Sequence, residues 1–296
     1  MFDTMTRRGL MRTGLAAGAW AAGAAVRPIP ARAGEAAAGV PRARFRLGMV
    51  TYLVGAQMDL PTLIDACEKS GMEGVELRTS HKHGVEPGLD AAARARVRET
   101  FAKTKVKLVM LGSTCEFHSP DAAAVKKNVE QAKEFVRLAV DVGAWGVKVR
   151  PNALPKDVPP EKTLKQIGDA CREVGQFAKE KNIIIAVEMH GGGTSDPPNM
   201  ARIMQACGHP SVGLCWNSNA GEVKNSSVKE NFDLVKQWLK HCHVRDLTKD
   251  DYPWKELMTL FRGIGYDGYT MIETSTKEDP VEFLKKQRAA WEEHIA

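Results

Sequence analysis

Short runs rich in Val, Ile, Leu and Met alternate along the chain with longer stretches in which apolar residues recur every three or four positions. The short runs show little polar alternation before their ends, which is typical of parallel strands buried on both faces. They predict eight strands, at Phe45–Thr51, Gly74–Leu77, Lys107–Leu111, Gly146–Arg150, Ile183–Met189, Val212–Trp216, Cys242–Arg245 and Tyr269–Glu273.

The intervening stretches predict amphipathic helices. Their apolar stripes are Leu60, Leu63, Ile64 and Cys67; Leu164, Ile167, Cys171, Val174 and Ala178; Val228, Phe232, Val235 and Leu239; and Val281, Leu284 and Trp291. Asp59 and Asp279 stand next to or near a proline, as at helix starts. Glycines are expected at helix ends, at Gly71, Gly143 and Gly263.

Eight strands alternating with helices predict an α/β protein, either a closed barrel or a doubly wound sheet. The doubly wound alternative is weakened because no GxGxxG phosphate-binding pattern follows the first strand. We therefore predict a single (β/α)8 TIM barrel over residues 45–296, without a second domain.

The N-terminal segment has the pattern of a twin-arginine signal peptide. Arg7 and Arg8 precede a weakly apolar stretch over residues 14–26, and Ala31-Arg32-Ala33 forms a small-x-small cleavage site. The pattern predicts a signal peptide over 1–33, a linker over 34–44 and an exported, periplasmic protein. The alternative is a disordered basic tail. A stable membrane anchor is not expected, since a span needs about 20 apolar residues.

Charge and cysteine content narrow the functional classes. The chain has a formal net charge of +6, but most of it lies in the first 33 residues. The remaining charge is too small to indicate a nucleic-acid partner. The six cysteines have no CxxC spacing. A barrel of this size has its own core, so we expect buried free thiols instead of disulfides.

Polar residues follow the apolar runs of four adjacent predicted strands, where barrel enzymes carry their catalytic groups. These residues are Glu188, Asn217, His243 and Glu273. Carboxylate and imidazole groups suit Mn²⁺, Co²⁺, Mg²⁺ or Zn²⁺. Alone, each glutamate could be a helix cap or an ion-pair partner, and His243 a core histidine. Together the four predict a shared site.

Three segments resemble the sugar phosphate isomerase/epimerase branch of the xylose isomerase-like TIM barrels, from about Phe45 to the end of the chain. They are Glu188-Met189-His190-Gly191-Gly192, His243-Val244-Arg245-Asp246 and Gly265-Tyr266-Asp267-Gly268-Tyr269 with Ile272-Glu273. The resemblance implies one divalent metal, bound by residues that match Glu188, Asn217, His243 and Glu273. It also implies that the two glutamates exchange protons with a small sugar.

The chain departs from the family pattern at two positions. Asn217 stands where the family usually has Asp, and an Asn carbonyl can bind a cation but adds no charge. Ala220 stands where the family often has a histidine. From Asn217 we expect weaker metal binding, or a more electrophilic ion when it binds, and from Ala220 altered substrate contacts.

The expected function is metal-dependent isomerisation or epimerisation by proton transfer beside the carbonyl of a sugar or keto-sugar. Two alternatives use the same scaffold, a keto-sugar (keto-glycoside) lyase or dehydratase and a non-catalytic sugar-binding barrel. A third, the apurinic endonuclease branch, is disfavoured by the small net charge and the export signal. The sequence leaves a homo-oligomer open. Expected substrate-binding residues are His190, Arg245, Lys148, Arg150, Glu76, His81 and His118.

Overall fold

The computed structural model describes residues 44–296. The predicted signal peptide and residues 34–43 of the predicted linker lie outside the described residues.

Eight parallel strands form a closed barrel in which each strand pairs with its neighbours in the chain and the last pairs with the first. This arrangement confirms the predicted α/β class and the single (β/α)8 TIM barrel. The strands are β1 (Arg46–Val50), β2 (Gly74–Arg78), β3 (Lys107–Glu116), β4 (Gly146–Arg150), β5 (Ile184–Glu188), β6 (Val212–Trp216), β7 (Leu239–Val244) and β8 (Tyr269–Ile272).

Eight α-helices within residues 44–296 surround the barrel. They are α1 (Leu60–Ser70), α2 (Ala91–Ala102), α3 (Ala122–Val142), α4 (Pro160–Lys179), α5 (Pro197–Cys207), α6 (Lys229–Val235), α7 (Trp254–Gly263) and α8 (Pro280–Ile295). The side chains of Asp59 and Asp279 cap α1 and α8 by accepting backbone N–H bonds. Gly71 and Gly143 end α1 and α3 in the left-handed conformation, as predicted.

Two strands differ from their predicted bounds by more than one residue at an end. β3 continues five residues past Leu111, through small and polar residues that do not look like a buried strand. β7 begins at Leu239, which was expected on the preceding helix, because a short 3-10 turn separates it from α6. α7 ends at Gly263, as expected, and the positive φ after that helix falls at Gly265.

The core has two layers. A small apolar cluster that includes Met110, Cys215 and Met271 fills the barrel interior. A larger cluster packs the outer faces of the strands against the helices. All six cysteines are buried and free, which confirms that prediction. Over residues 44–296, no helix is both long and apolar enough to cross a bilayer.

Candidate active site

A polar cavity of about 280 Å³ opens among the carboxyl ends of the strands. Its lining residues are Tyr52, Arg78, Lys148, Arg150, Glu188, His190, Asn217, Asn219 and Glu273. A larger cavity, of about 910 Å³, lies at the opposite end, where Arg46 and Tyr269 begin their strands. Since barrel enzymes use the carboxyl ends of their strands, the smaller cavity is the candidate active site.

Two carboxylates and an imidazole meet at the base of this cavity. Glu188 ends β5, His243 lies near the end of β7, and Glu273 follows β8. His243 Nδ1 lies 3.2 Å from an oxygen of Glu273 and 3.6 Å from an oxygen of Glu188. One donor atom from each residue lies within 4.8 Å of the others. The structure thus brings these three strand ends together.

The His243 Nδ1 atom provides the test of whether a metal fits. It is buried and makes no hydrogen bond within the described part of the chain. The two carboxylate oxygens lie near it without hydrogen-bond geometry, and a cation between the imidazole and the carboxylates would satisfy all three groups. A neutral imidazole nitrogen and two carboxylate oxygens are also donors that Zn²⁺ and Mn²⁺ accept. The residues therefore fit a divalent ion.

The opposite edge of the His243 ring, at Nε2, is held by Glu76 from β2, across the barrel. One oxygen of Glu76 accepts hydrogen bonds from Nε2 of His243, at 2.9 Å, and of His241, at 2.8 Å. Because Nε2 of His243 carries a proton in this arrangement, a neutral ring presents the lone pair of Nδ1 to the cavity. This carboxylate–histidine pairing is the usual support behind a metal-binding imidazole.

Burial and neighbouring charges act in opposite directions on the pKa values of Glu76 and His243. Burial alone would raise the pKa of Glu76, but His243 and His241 outweigh it and hold that pKa well below its usual value. Burial alone would lower the pKa of His243, but the Cys215 thiol and two carboxylates outweigh it and raise that pKa. A metal ion at Nδ1 would therefore compete with a proton, and its binding should weaken as the pH falls.

Lys148 and Glu188 form an ion pair in the cavity wall. Their side chains are 5% and 3% exposed, and Lys148 Nζ lies 2.7 Å from an oxygen of Glu188. Burial would raise the pKa of Glu188, but Lys148 and His243 outweigh it and lower that pKa. Glu188 is thus ionised at neutral pH, and a cationic ammonium group lies beside it.

Asn217 and Asn219 form the wall that follows β6. Both amide nitrogens donate to the carbonyl oxygen of Met189, Asn219 at 2.7 Å and Asn217 at a long 3.4 Å. Asn219 also donates to the buried Glu222, whose pKa burial raises to about 8. Within residues 44–296 the side-chain carbonyl oxygen of Asn217 accepts no hydrogen bond, so it is available as a ligand.

A two-stranded ladder over residues 152–153 and 191–192 positions His190. The Nδ1 atom of His190 lies 2.8 Å from Oδ1 of Asn152. Gly191 has a φ of 91°, and a Cβ atom there would lie 2.3 Å from the carbonyl oxygen of Asn152. Only glycine allows this close approach, which explains the glycine after His190.

Four other residues expected to bind substrate lie outside the cavity lining. Glu76 is fully buried beneath the cavity. His81 contacts Thr51, at 2.8 Å, and His118 lies 3.9 Å from Glu116. The guanidinium of Arg245 donates to the carbonyl oxygen of Ser218 and pairs with Asp251. Substrate binding by these four residues stays a prediction.

Sequence reasoning missed three lining residues. Arg78 is the last residue of β2 and shares a face with Glu76, two positions earlier. That spacing could have identified Arg78, because the later residue lies nearer the carboxyl end. Tyr52 lies in a short π-helical turn after β1, and Asn219 lies two residues after Asn217. No sequence pattern marked either of them.

The xylose isomerase-like TIM barrel model matches residues 64–296, most of the chain. The chain belongs to this family. A comparison with curated proteins finds no significant match.

Several solved structures share the fold at low sequence identity. The 3-keto-D-glucoside 4-epimerase from E. coli superposes with a TM-score of 0.70 and 12% identity, over 84% of this chain and 99% of that one. The D-allulose 3-epimerase from Methylomonas sp. gives 0.67 and 12%, over 86% and 100%. The IOLI protein with a bound zinc atom gives 0.63 and 15%, over 84% and 96%.

Proposed function

We propose that the protein is a sugar or keto-sugar isomerase or epimerase that uses one divalent metal ion, Mn²⁺, Co²⁺, Mg²⁺ or Zn²⁺. The observation that carries the proposal is the cluster of Glu188, His243 and Glu273 at the carboxyl ends of three strands, with Nδ1 of His243 buried between the two carboxylates and without a hydrogen bond. Sugar epimerases among the structural neighbours support the same class of chemistry.

Glu188, His243 and Glu273 would hold the metal, with the carbonyl oxygen of Asn217 as a fourth ligand. When bound, the ion would supply Lewis-acid stabilisation of negative charge on the substrate carbonyl oxygen. The ion pair with Lys148 supports this assignment for Glu188, because it keeps the carboxylate ionised. The protein ligands would then sum to two negative charges, which would leave a bound divalent ion much of its electrophilic character.

The two carboxylates can exchange protons with the carbon beside the carbonyl. Glu188 and Glu273 come from β5 and β8, with two strands between them, so they can face the substrate from different sides. One carboxylate removes the proton and the other returns it. Return to the opposite face of the same carbon gives an epimer. Return to the neighbouring carbon, with transfer of the hydroxyl proton to the former carbonyl oxygen, gives an isomer. Lys148 stabilises the negative charge that develops between these steps.

Proton exchange with solvent tests the proposal without knowledge of the natural substrate. D-Fructose, D-tagatose and D-allulose are incubated with the Mn²⁺-loaded protein in D₂O, and the recovered sugars are analysed by mass spectrometry. Deuterium should enter beside the carbonyl. Glu273→Gln should slow this exchange at least ~100-fold, the usual contribution of a proton-transfer group. Its side chain is 18% exposed, so the change should leave the melting temperature close to that of the wild type.

Glu256→Gln is the matched control. Glu256 lies on α7 and accepts hydrogen bonds from Ser227 and Val228, away from the cavity lining. It should exchange deuterium at the wild-type rate. Unchanged exchange in Glu273→Gln would contradict the proposed chemistry, and loss of a substituent from the sugar would indicate a lyase instead.

We also propose that the protein is exported through the twin-arginine route to the periplasm, on the basis of Arg7, Arg8 and the small-x-small site at residues 31–33.

A further inference from the structure

Three cationic side chains line the candidate active site, and two of them have carboxylate partners. Lys148 pairs with Glu188 at 2.7 Å. Arg150 pairs with Glu116, its register partner at the end of β3. The third cation is Arg78. Over residues 44–296, no carboxylate oxygen lies within 4.0 Å of the Arg78 guanidinium. Arg78 differs in this respect from Lys148 and Arg150.

The guanidinium of Arg78 is held in place without being neutralised. Its Nη1 atom donates to the carbonyl oxygen of Thr79 at 2.8 Å. Its central carbon lies 5.5 Å from the centroid of the Tyr52 ring, a cation–π contact. Within the described part of the chain, its remaining N–H groups make no hydrogen bond to protein. These groups are free for a ligand in the cavity.

The backbone of Arg78 is fixed as firmly as its side chain. Its N–H donates to Thr51 Oγ1 at 3.0 Å, and its carbonyl oxygen accepts from His83 Nε2 at 2.8 Å. Since Arg78 also ends a barrel strand, its Cα position is set by a rigid element. A binding group held in this way loses little freedom when the ligand arrives.

We propose that Arg78 binds a carboxylate group on the substrate, so that the site takes a keto sugar acid in preference to a neutral keto-sugar. The planar guanidinium matches a carboxylate through two parallel hydrogen bonds. A single cation without a partner suits an anion of one charge, whereas phosphate usually recruits several donors. The small polar cavity of about 280 Å³ suits a single sugar unit. The keto group in this inference rests on the proposed function.

Calorimetric titration with matched ligands tests the inference. The pairs are D-fructose with D-fructuronate and D-tagatose with D-tagaturonate, which differ only in a terminal carboxylate, and D-fructose 6-phosphate is the competing anion. At least one sugar acid should bind tenfold or more tightly than its neutral partner, and more tightly than the phosphate. Equal binding within both pairs, no binding of either acid at millimolar concentration, or tightest binding of the phosphate would each overturn the inference.

Substitutions then assign the preference to Arg78. Arg78→Gln should reduce the difference within the favoured pair to about twofold or less, and Arg78→Lys should retain part of it, since the charge stays but the fork is lost. Arg202→Gln is the control, because Arg202 forms an exposed pair with Glu161 on the helical layer. It should keep the full preference. If Arg78→Gln also keeps it, the inference fails.

This outcome is separable from that of the proposed function. Metal content and deuterium exchange are measured on the same preparations. A protein that binds a sugar acid through Arg78, but neither holds a metal nor exchanges protons, contradicts the proposed function alone. A protein that exchanges protons in neutral keto-sugars and ignores the carboxylate contradicts this inference alone.

Discussion

Glu76→Gln should weaken metal binding although Glu76 does not reach the metal site. In the protein, one carboxylate oxygen accepts N–H bonds from His243 and His241, at 2.9 and 2.8 Å. The other oxygen is buried without a hydrogen-bond partner, beside Gly112. A glutamine must place its NH₂ group at one of these two positions, and neither position accepts it without a cost.

Both placements of the NH₂ group should lower the metal affinity, but by different routes. With NH₂ facing the rings, Nε2 of His243 must become an acceptor, so its proton moves to Nδ1 and the metal-binding lone pair is lost. With NH₂ at the other position, both ring contacts survive, but a buried donor lacks an acceptor at a cost of about 1–3 kcal/mol. The imidazole also loses the carboxylate that makes it a stronger ligand. Loss of such a partner typically costs ~10–100-fold in metal affinity, and we expect a decrease in that range.

Competition titration of Mn²⁺ or Zn²⁺ against a chromophoric chelator measures the effect, with circular dichroism to check the fold. Glu256→Gln makes the same chemical change in a carboxylate outside the cavity lining and should bind metal like the wild type. If Glu76→Gln also binds metal with unchanged affinity while folded, the idea that Glu76 orients His243 is refuted.

Asn217→Asp should bind the divalent ion at least tenfold more tightly by calorimetry, because opposite charges ~4 Å apart attract by ~4 kcal/mol at an effective dielectric of ~20. A tenfold gain in affinity needs only ~1.4 kcal/mol. Equal affinities would mean that residue 217 is not a ligand. Burial raises the pKa of Glu222 to about 8, above its unfolded value, so the folded protein favours the protonated carboxyl group. The resulting stabilisation is complete below about pH 4.5 and is lost as the pH rises through 8, by at most ~1.4 kcal/mol per pH unit. Urea unfolding of Glu222→Gln should lack this loss between pH 5.5 and 8.5, and parallel pH profiles for both proteins would count against it. Replacing Arg7 and Arg8 by Lys should leave unprocessed precursor in the cytoplasm on immunoblots, and normal export would disprove the twin-arginine route.

The sequence identifies the barrel because its strands are buried on both faces and therefore appear as continuous apolar runs. The pattern fails where a strand contains lumen-facing polar residues. β7 includes His241 and His243, two positions apart on the lumen face, and Lys240 between them, so its first half did not look like a strand. β3 continues through Gly112, which pairs with β2 and β4, to Glu116, which pairs with Arg150 of β4 at the barrel mouth. Local composition cannot show such pairing.

The candidate site was predictable to the extent that it depends on strand ends. Glu188 and Glu273 were identified because each follows an apolar run, and the barrel brings those ends together. Glu76 was expected to touch substrate, but its partners His243 and His241 are more than 160 positions away in the chain. Its buried position depends on which residues face it across the barrel. Sequence spacing within one strand does not contain that information.

The central claim is that Glu188, His243 and Glu273 bind one divalent ion at the carboxyl ends of the strands. An anomalous-scattering map of crystals grown with Mn²⁺ tests it most directly. We expect a single strong peak within bonding distance, about 2.0–2.3 Å, of His243 Nδ1 and of one oxygen from each glutamate. A map without a peak there, or with manganese bound only elsewhere on the protein, would contradict it.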